Sequence, residues 1–295
     1  MSGISQLSKN QIDLYDHIYS ALKSSMEKYY QANKDKTFTV LLSGGYDSRF
    51  VLYMCKELGI PIKRCYTFSL DNKLSTDARL AKEVCEQENV DLQIVRIPTD
   101  SVSVIQIMEE LARDYGCVKK TDFECGLPIY CLWENVEEDV ILMATDADNY
   151  FGLDKKFAIH YKDLPDGLTK YKEYLWSDPN SGQVKQKAQL DKNYGKQMFD
   201  VFNSHEAHEA FKGTTWEELN KPHKKGVLYY KFADRYDAIK PYHSNYQCGD
   251  SGIRELCADV LLHSDYNPRG KYISVTGCYN EIRRRAHAPK KHTLL

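Results

Sequence analysis
The chain has 295 residues, enough for one large domain or two small ones around a sizeable core. Hydrophobic residues at 42% and charged residues at 28% are ordinary for a globular protein, and a net charge of −2 gives no global field toward nucleic acid or an acidic membrane. There is no apolar run of about 18 residues, and the opening MSGISQLSKNQID has no apolar signal core, so no membrane partner and a cytoplasmic setting are expected.

Nine cysteines without a CxxC pair argue against a disulfide framework and a zinc ribbon. Cys55, Cys65 and Cys85 sit among apolar residues, where a thiol behaves as a small hydrophobe, and this fits a reducing compartment.

In chain order, residues 10–32 predict an amphipathic helix, with Leu14, Ile18, Leu22 and Met26 recurring every four positions. The apolar run 38–42 predicts a buried strand ending at a Gly pair. A helix over 47–58 stops at Gly59, with Pro61 just beyond. A second strand over 62–68 follows, then a helix capped by Ser75 that runs to about residue 88, then a third strand over 92–97. Helices near 102–114 and 127–136 precede a fourth strand over 140–144. Strands that are apolar throughout and alternate with helices predict an α/β fold, a parallel sheet covered by helices on both faces. Residues 163–225 are polar, with turns at Pro165-Asp166-Gly167 and Asp178-Pro179-Asn180-Ser181-Gly182; the remainder reads as helical, with no clear strand. One domain is expected: an N-terminal helix (1–34), an α/β nucleotide-binding core (35–160) and a mostly helical substrate lobe (161–295).

Ligands of such sheets bind beyond the carboxyl ends of strands. The loop after the first strand reads Ser43-Gly44-Gly45-Tyr46-Asp47-Ser48. Two glycines let backbone amides approach an anion, the following helix points its positive end at the same place, and the two serines add hydroxyl donors. Asp47 would repel bare phosphate, so its presence implies Mg²⁺-bound pyrophosphate. The loop lacks the Gly-Lys-Ser/Thr ending of a Walker loop. As a carboxylate on a surface loop, Asp47 is expected to matter little for stability.

Ser43 to Ser48 resembles the pyrophosphate loop of the N-type ATP pyrophosphatases, the PP-loop superfamily. Within it, Ala144-Thr145-Asp146-Ala147-Asp148-Asn149-Tyr150-Phe151-Gly152 resembles the asparagine-synthase pattern Gly-Asp/Glu-Gly-Ala-Asp-Glu-Leu-Phe-Gly, with Ala147, Asp148, Phe151 and Gly152 matching. The resemblance implies an adenine nucleotide alpha hydrolase-like, Rossmann-like fold, ATP as cofactor, and attack of a substrate oxygen on the α-phosphate. It assigns Ser43, Gly44, Gly45, Asp47 and Ser48 to the phosphates and Asp47 and Asp148 to Mg²⁺. It places adenine at the strand end Thr67, Phe68 and Ser69. Ile239-Lys240-Pro241-Tyr242 and Pro268-Arg269-Gly270-Lys271-Tyr272-Ile273 are similar to late family segments, and the second gives Lys271 the role of stabilising charge on the phosphates.

The pattern breaks at Thr145, where the family has a carboxylate that serves as general base: either Asp146, one position later, substitutes, or the nucleophile needs no base, or the acyl acceptor differs. About 36 residues precede the first strand, too few for the family's glutaminase, so the amine is expected from solution, from the substrate itself or from a separate ammonia- or amine-supplying protein. An ATP-dependent amidoligase acting on a small acid and an amine is the leading expectation. A PP-loop enzyme that adenylates a nucleic-acid base is the second, favoured slightly by the basic tail Arg283-Arg284-Arg285 and Lys290-Lys291, whose plainer reading is a solvated terminus. A degenerate ATP-binding module is the third. His205 and His208 are expected on a solvated helix face rather than as metal ligands.

Overall fold
The computed structural model describes residues 7–70, 74–177, 184–242, 249–271 and 274–287. The first helix, α1 (Lys9–Ala32), opens with a capping box between Ser8 and Gln11 and buries Tyr15, Ile18, Leu22 and Met26 along one face. There follow β1 (Phe38–Leu41), α2 (Tyr46–Glu57), β2 (Ile62–Leu70), α3 (Thr76–Glu88), β3 (Asp91–Ile97), α4 (Ser101–Asp114), α5 (Lys120–Asn135) and β4 (Val140–Met143). Gly59 takes φ +66 just past α2, a left-handed position that suits glycine. Ser75 caps α3 as expected, its hydroxyl accepting from Ala78 N–H. The helix expected over 127–136 starts earlier, because the Asp122 carboxylate accepts from the amides of Val118 and Lys119 and fixes a start at Lys120. Pro128 lies inside it.

Beyond β4 the chain forms α6 (Ala147–Tyr150), α7 (Lys155–His160), α8 (Gly167–Ser177), α9 (Val184–Tyr194), β5 (Gln197–Asp200), α10 (His205–Phe211), α11 (Trp216–Asn220), α12 (Gly226–Lys231), α13 (Ala233–Ala238), α14 (Ile253–Leu262) and α15 (Val275–Ala286). Asp166 in the expected turn at 165–167 takes φ 54; the turn at 178–182 and Lys290-Lys291 lie outside the described residues. β5 corrects the expectation of a strandless second half. It has four residues, too few for an alternating pattern to show, and it is held by pairing with β4 from Val140↔Gln197 to Met143↔Asp200.

The five strands are parallel in the order β3-β2-β1-β4-β5. The chain runs outward from β1 to β3, then returns to β4 on the other side of β1. That reversal creates a crevice at the carboxyl ends of β1 and β4, where ligands of such sheets bind. Side chains of β4 alternate between the two faces: Val140 and Leu142 join a core with α1 and α2, while Ile141 and Met143 join one with α4, α5, α14 and α15. Cys55, Cys65 and Cys85 are buried free thiols, as their surroundings predict. No described helix is long and apolar enough to cross a membrane.

The His205–His208 expectation is corrected in part. His208 is buried and stacks on Trp176 at 4.4 Å, so it packs rather than faces water. Arg283 to Arg285 form the last turn of α15, where Arg284 and Arg285 pair with Glu281.

Candidate functional site
The loop after β1 is held largely by its own side chains. Ser43 N–H donates to Ser48 Oγ (3.0 Å), Gly45 N–H to Ser43 Oγ (3.3 Å) and Gly44 N–H to Asp77 Oδ1 (3.0 Å). Gly44 packs closely on α3: a Cβ there would lie 2.9 Å from Leu80 Cδ1 and 3.0 Å from Leu80 Cβ. Asp77, on the first turn of α3, is buried, and burial pushes its carboxyl up to about 6 against the pull of the Gly44 hydrogen bond. Gly45 is the N-cap of α2 and brings no side-chain cap, so the helix start keeps its positive end for an anion. The late segment 239–242 reaches this loop: Tyr242 N–H donates to Gly44 O (2.9 Å), and Ile239 O accepts from the buried Arg49 of α2 (2.6 Å).

The loop after β4 is fixed from the edge of the sheet. Asp200, at the end of β5, accepts from Thr145 N–H (2.7 Å), Thr145 Oγ1 (2.8 Å) and Asp146 N–H (3.1 Å) through one oxygen. The Thr145 hydroxyl is thus a donor to a carboxylate. Asp146 accepts from Asn149 Nδ2 at 3.1 Å. Ala147 and Phe151 are fully buried, and Gly152 takes φ +62 with Leu168 Cδ1 2.9 Å from where a Cβ would sit. Ala147, Phe151 and Gly152, three of the four residues that match the family pattern, thus pack the loop, while Thr145 and Asp146 tie it to Asp200.

Asp47 and Asp148, from the two sides of the crevice, meet at one ammonium group. Lys225 Nζ lies 2.6 and 2.5 Å from the two oxygens of Asp47 and 2.6 Å from Asp148 Oδ1. The lysine side chain is 3% exposed, whereas those of Asp47 and Asp148 are 25% and 36% exposed, so the cation lies beneath the carboxylates. Burial alone would lower the lysine pKa, but Asp47 and Asp148 outweigh it and hold the pKa above its ordinary value. Lys225 is placed by a left-handed backbone (φ 54) at the start of α12 and by its amide donating to Asn220 Oδ1 (3.2 Å). The expectation that Asp47 matters little for stability is corrected: it is the bidentate partner of a buried charge. Lys225 was not anticipated, because His223-Lys224-Lys225 reads as a polar surface run.

Thr67 and Ser69 are buried at the end of β2, Phe68 is half-buried, and Ser69 Oγ accepts from Arg96 Nη1 (3.2 Å). Lys271 is exposed, just after a short turn at Pro268–Gly270; the lysine that meets the carboxylates is Lys225. Among the described residues no group of three or more His, Cys, Asp or Glu side chains is placed to hold a metal ion. The Asp47–Asp148 pair is nonetheless a hard oxygen donor set converging on one cation, and this chemistry suits Mg²⁺ when other oxygens complete the shell.

The family model Asparagine synthase matches residues 17–229. No curated protein matches the chain. Among solved structures, an NH3-dependent NAD synthetase from Campylobacter jejuni shares 11% identity, with a TM-score of 0.34 over 78% of this chain and 99% of that one. An NMN synthetase from Francisella tularensis shares 14%, with a TM-score of 0.29 over 80% and 98%. A tRNA thiolase from Methanococcus maripaludis shares 15%, with a TM-score of 0.37 over 91% and 77%. These structural likenesses are distant; the family match, which spans the loop after β1, the loop after β4 and Lys225, decides the assignment. The chain belongs to the asparagine synthase family, an ATP-using family of the PP-loop type.

Proposed function
We propose that the chain is an ATP-dependent, AMP-forming ligase: it adenylates a substrate carboxylate, releases pyrophosphate and transfers the acyl group to an amine. The observation that carries this reading is the meeting of Asp47 and Asp148 across the crevice between β1 and β4, next to the uncapped start of α2. Ser43, Gly44, Gly45 and Ser48 shape the phosphate-binding turn, and Thr67, Phe68 and Ser69 form the strand end assigned to adenine. Asp47 and Asp148 would hold Mg²⁺, which when bound neutralises phosphate charge and makes pyrophosphate a better leaving group. Lys271 is assigned to the phosphates and Asp146 to the amine proton.

For the nucleic-acid reading, Glu281 pairs with Arg284 and Arg285 and offsets one of their two charges, which weakens the basic cluster without neutralising it. The test is AMP and pyrophosphate formation from ATP and Mg²⁺ against pools of amino acids, other small acids with ammonia or amines, and tRNA or DNA. Release that needs both an acid and an amine is the expected result. Release driven by nucleic acid alone, or ATP binding without turnover in every pool, would overturn it.

A further inference from the structure
Lys225 is the most buried charge of the site and has no place in the reaction just described. We propose that it makes divalent-metal binding conditional on nucleotide: the Asp47–Asp148 pair with Lys225 beneath it does not take up Mg²⁺ alone, and does so only when phosphate oxygens arrive with it. This rests on the proposed ATP reaction for its purpose, but not for its test.

Charge and lone pairs both work against a bare dication at this pair. The ammonium contacts both oxygens of Asp47 and Oδ1 of Asp148, so most lone pairs of the carboxylate pair face a cation already. It also cancels one of the two negative charges. A hard dication that strips water reluctantly needs several charged oxygens, and here it would meet a net single charge with an ammonium a few ångströms away. Bound triphosphate changes both terms, because it adds several negative charges and supplies oxygens from the solvent side, where the carboxylates are exposed. Lys225 is fixed from below by its left-handed backbone and its bond to Asn220, so the arrangement is built into the fold rather than an accident of a flexible surface chain. Without nucleotide the lysine also keeps two neighbouring carboxylates from repelling one another. It is a positioning residue, acting on the carboxylates rather than on substrate.

The experiment is Mn²⁺ binding followed by electron paramagnetic resonance, with thermal melting in Mg²⁺ as a second readout. The proteins are wild type, Lys225→Met, Lys225→Arg and Lys225→Met/Asp148→Asn. Wild type should bind no Mn²⁺ in the micromolar range alone, and one ion in the presence of α,β-methylene-ATP. Lys225→Met should bind Mn²⁺ without nucleotide at least tenfold more tightly than wild type, and Mg²⁺ should raise its melting temperature while leaving that of wild type unchanged. Lys225→Arg, which keeps the charge, should behave as wild type, and the added Asp148→Asn should abolish the new binding. Micromolar Mn²⁺ binding by nucleotide-free wild type overturns the proposal, and this arm does not depend on any variant folding. Equal affinity of wild type and Lys225→Met, or no metal uptake by wild type with the nucleotide analogue, overturns it as well. None of these readouts requires turnover, so loss of the ligase assignment and loss of this inference are separable results.

Discussion
Among the described residues of the C-terminal half, Lys172 and Lys225 are almost completely buried, and their surroundings drive them in opposite directions. Lys225 sits under Asp47 and Asp148 and is held in its charged form. Lys172, on α8, donates to Phe211 O (2.8 Å) and Thr214 Oγ1 (2.6 Å), and burial lowers its pKa to about 7. Depth is the same in both; the difference is that two carboxylates contact the Lys225 ammonium, whereas Glu218 acts on Lys172 too weakly to offset burial. Neutral acceptors satisfy an ammonium's hydrogens but do not repay its lost hydration. A fully charged lysine at depth is thus a sign of carboxylates gathered for another purpose, and here they are the two that the proposed chemistry needs.

The comparison can be broken by making Lys225 resemble Lys172. In Asp47→Ala/Asp148→Ala the ammonium is buried without a counter-ion, which should cost about 3–5 kcal/mol at neutral pH in denaturant unfolding. The sign follows from linkage. In wild type the pKa of Lys225 is raised, so its contribution is full below the unfolded value of 10.5 and fades only as pH passes the folded one. In the double variant the pKa falls below 10.5, so the penalty is full at neutral pH and lessens as pH climbs toward 10.5. A variant as stable as wild type at neutral pH would show that the carboxylates do not hold the lysine.

A third lysine sharpens the contrast. Lys271 is exposed, so Lys271→Met should cost far less stability than loss of the carboxylates around Lys225 while lowering kcat by about 10², as expected for a charge that meets the phosphates in the transition state. An effect confined to KM would reduce Lys271 to simple ATP binding.

Lys172→Met replaces an ill-placed charge by an apolar chain of similar length. Thr214 Oγ1 still donates to Phe211 O at 2.8 Å, so that carbonyl keeps a partner. The variant should be more stable by about 1–2 kcal/mol at pH 7. Because the folded pKa of about 7 lies below the unfolded 10.5, the wild-type penalty is full below pH 7 and is relieved between pH 7 and 10.5. The gain should shrink over that window, and a gain that is independent of pH would assign it to packing. The smallest effect is expected from Asp148→Asn, which removes one charged oxygen and should raise the Mg²⁺ concentration for half-maximal turnover severalfold. An unchanged titration would remove Asp148 from the metal site.

The sequence makes the core legible where local signals and tertiary demands agree. The run 38–42 followed by Ser-Gly-Gly can be read because strand propensity, the turn and the helix start all fall within a few residues. So can the loop at Asp148, whose Ala147 and Phe151 are buried anchors. What stays hidden depends on long-range partners. Asp77 appears only as a residue near a helix start, yet it holds the Gly44 amide. Asp200 ends a four-residue strand with no pattern of its own, yet it organises Thr145 and Asp146. Lys225 lies in a charged run that suggests solvent, and its burial follows from carboxylates more than seventy positions away in the chain.

The most direct test of the central claim is AMP and pyrophosphate formation by Asp47→Ala, assayed with the ATP, Mg²⁺, acid and amine that support wild type. Nucleotide binding should be measured in parallel, under conditions where the variant remains folded. The account predicts that product formation falls by about 10² or more while nucleotide still binds, because the carboxylate proposed to hold the metal is gone. Turnover at the wild-type rate would contradict it, and would place the chemistry away from the crevice between β1 and β4.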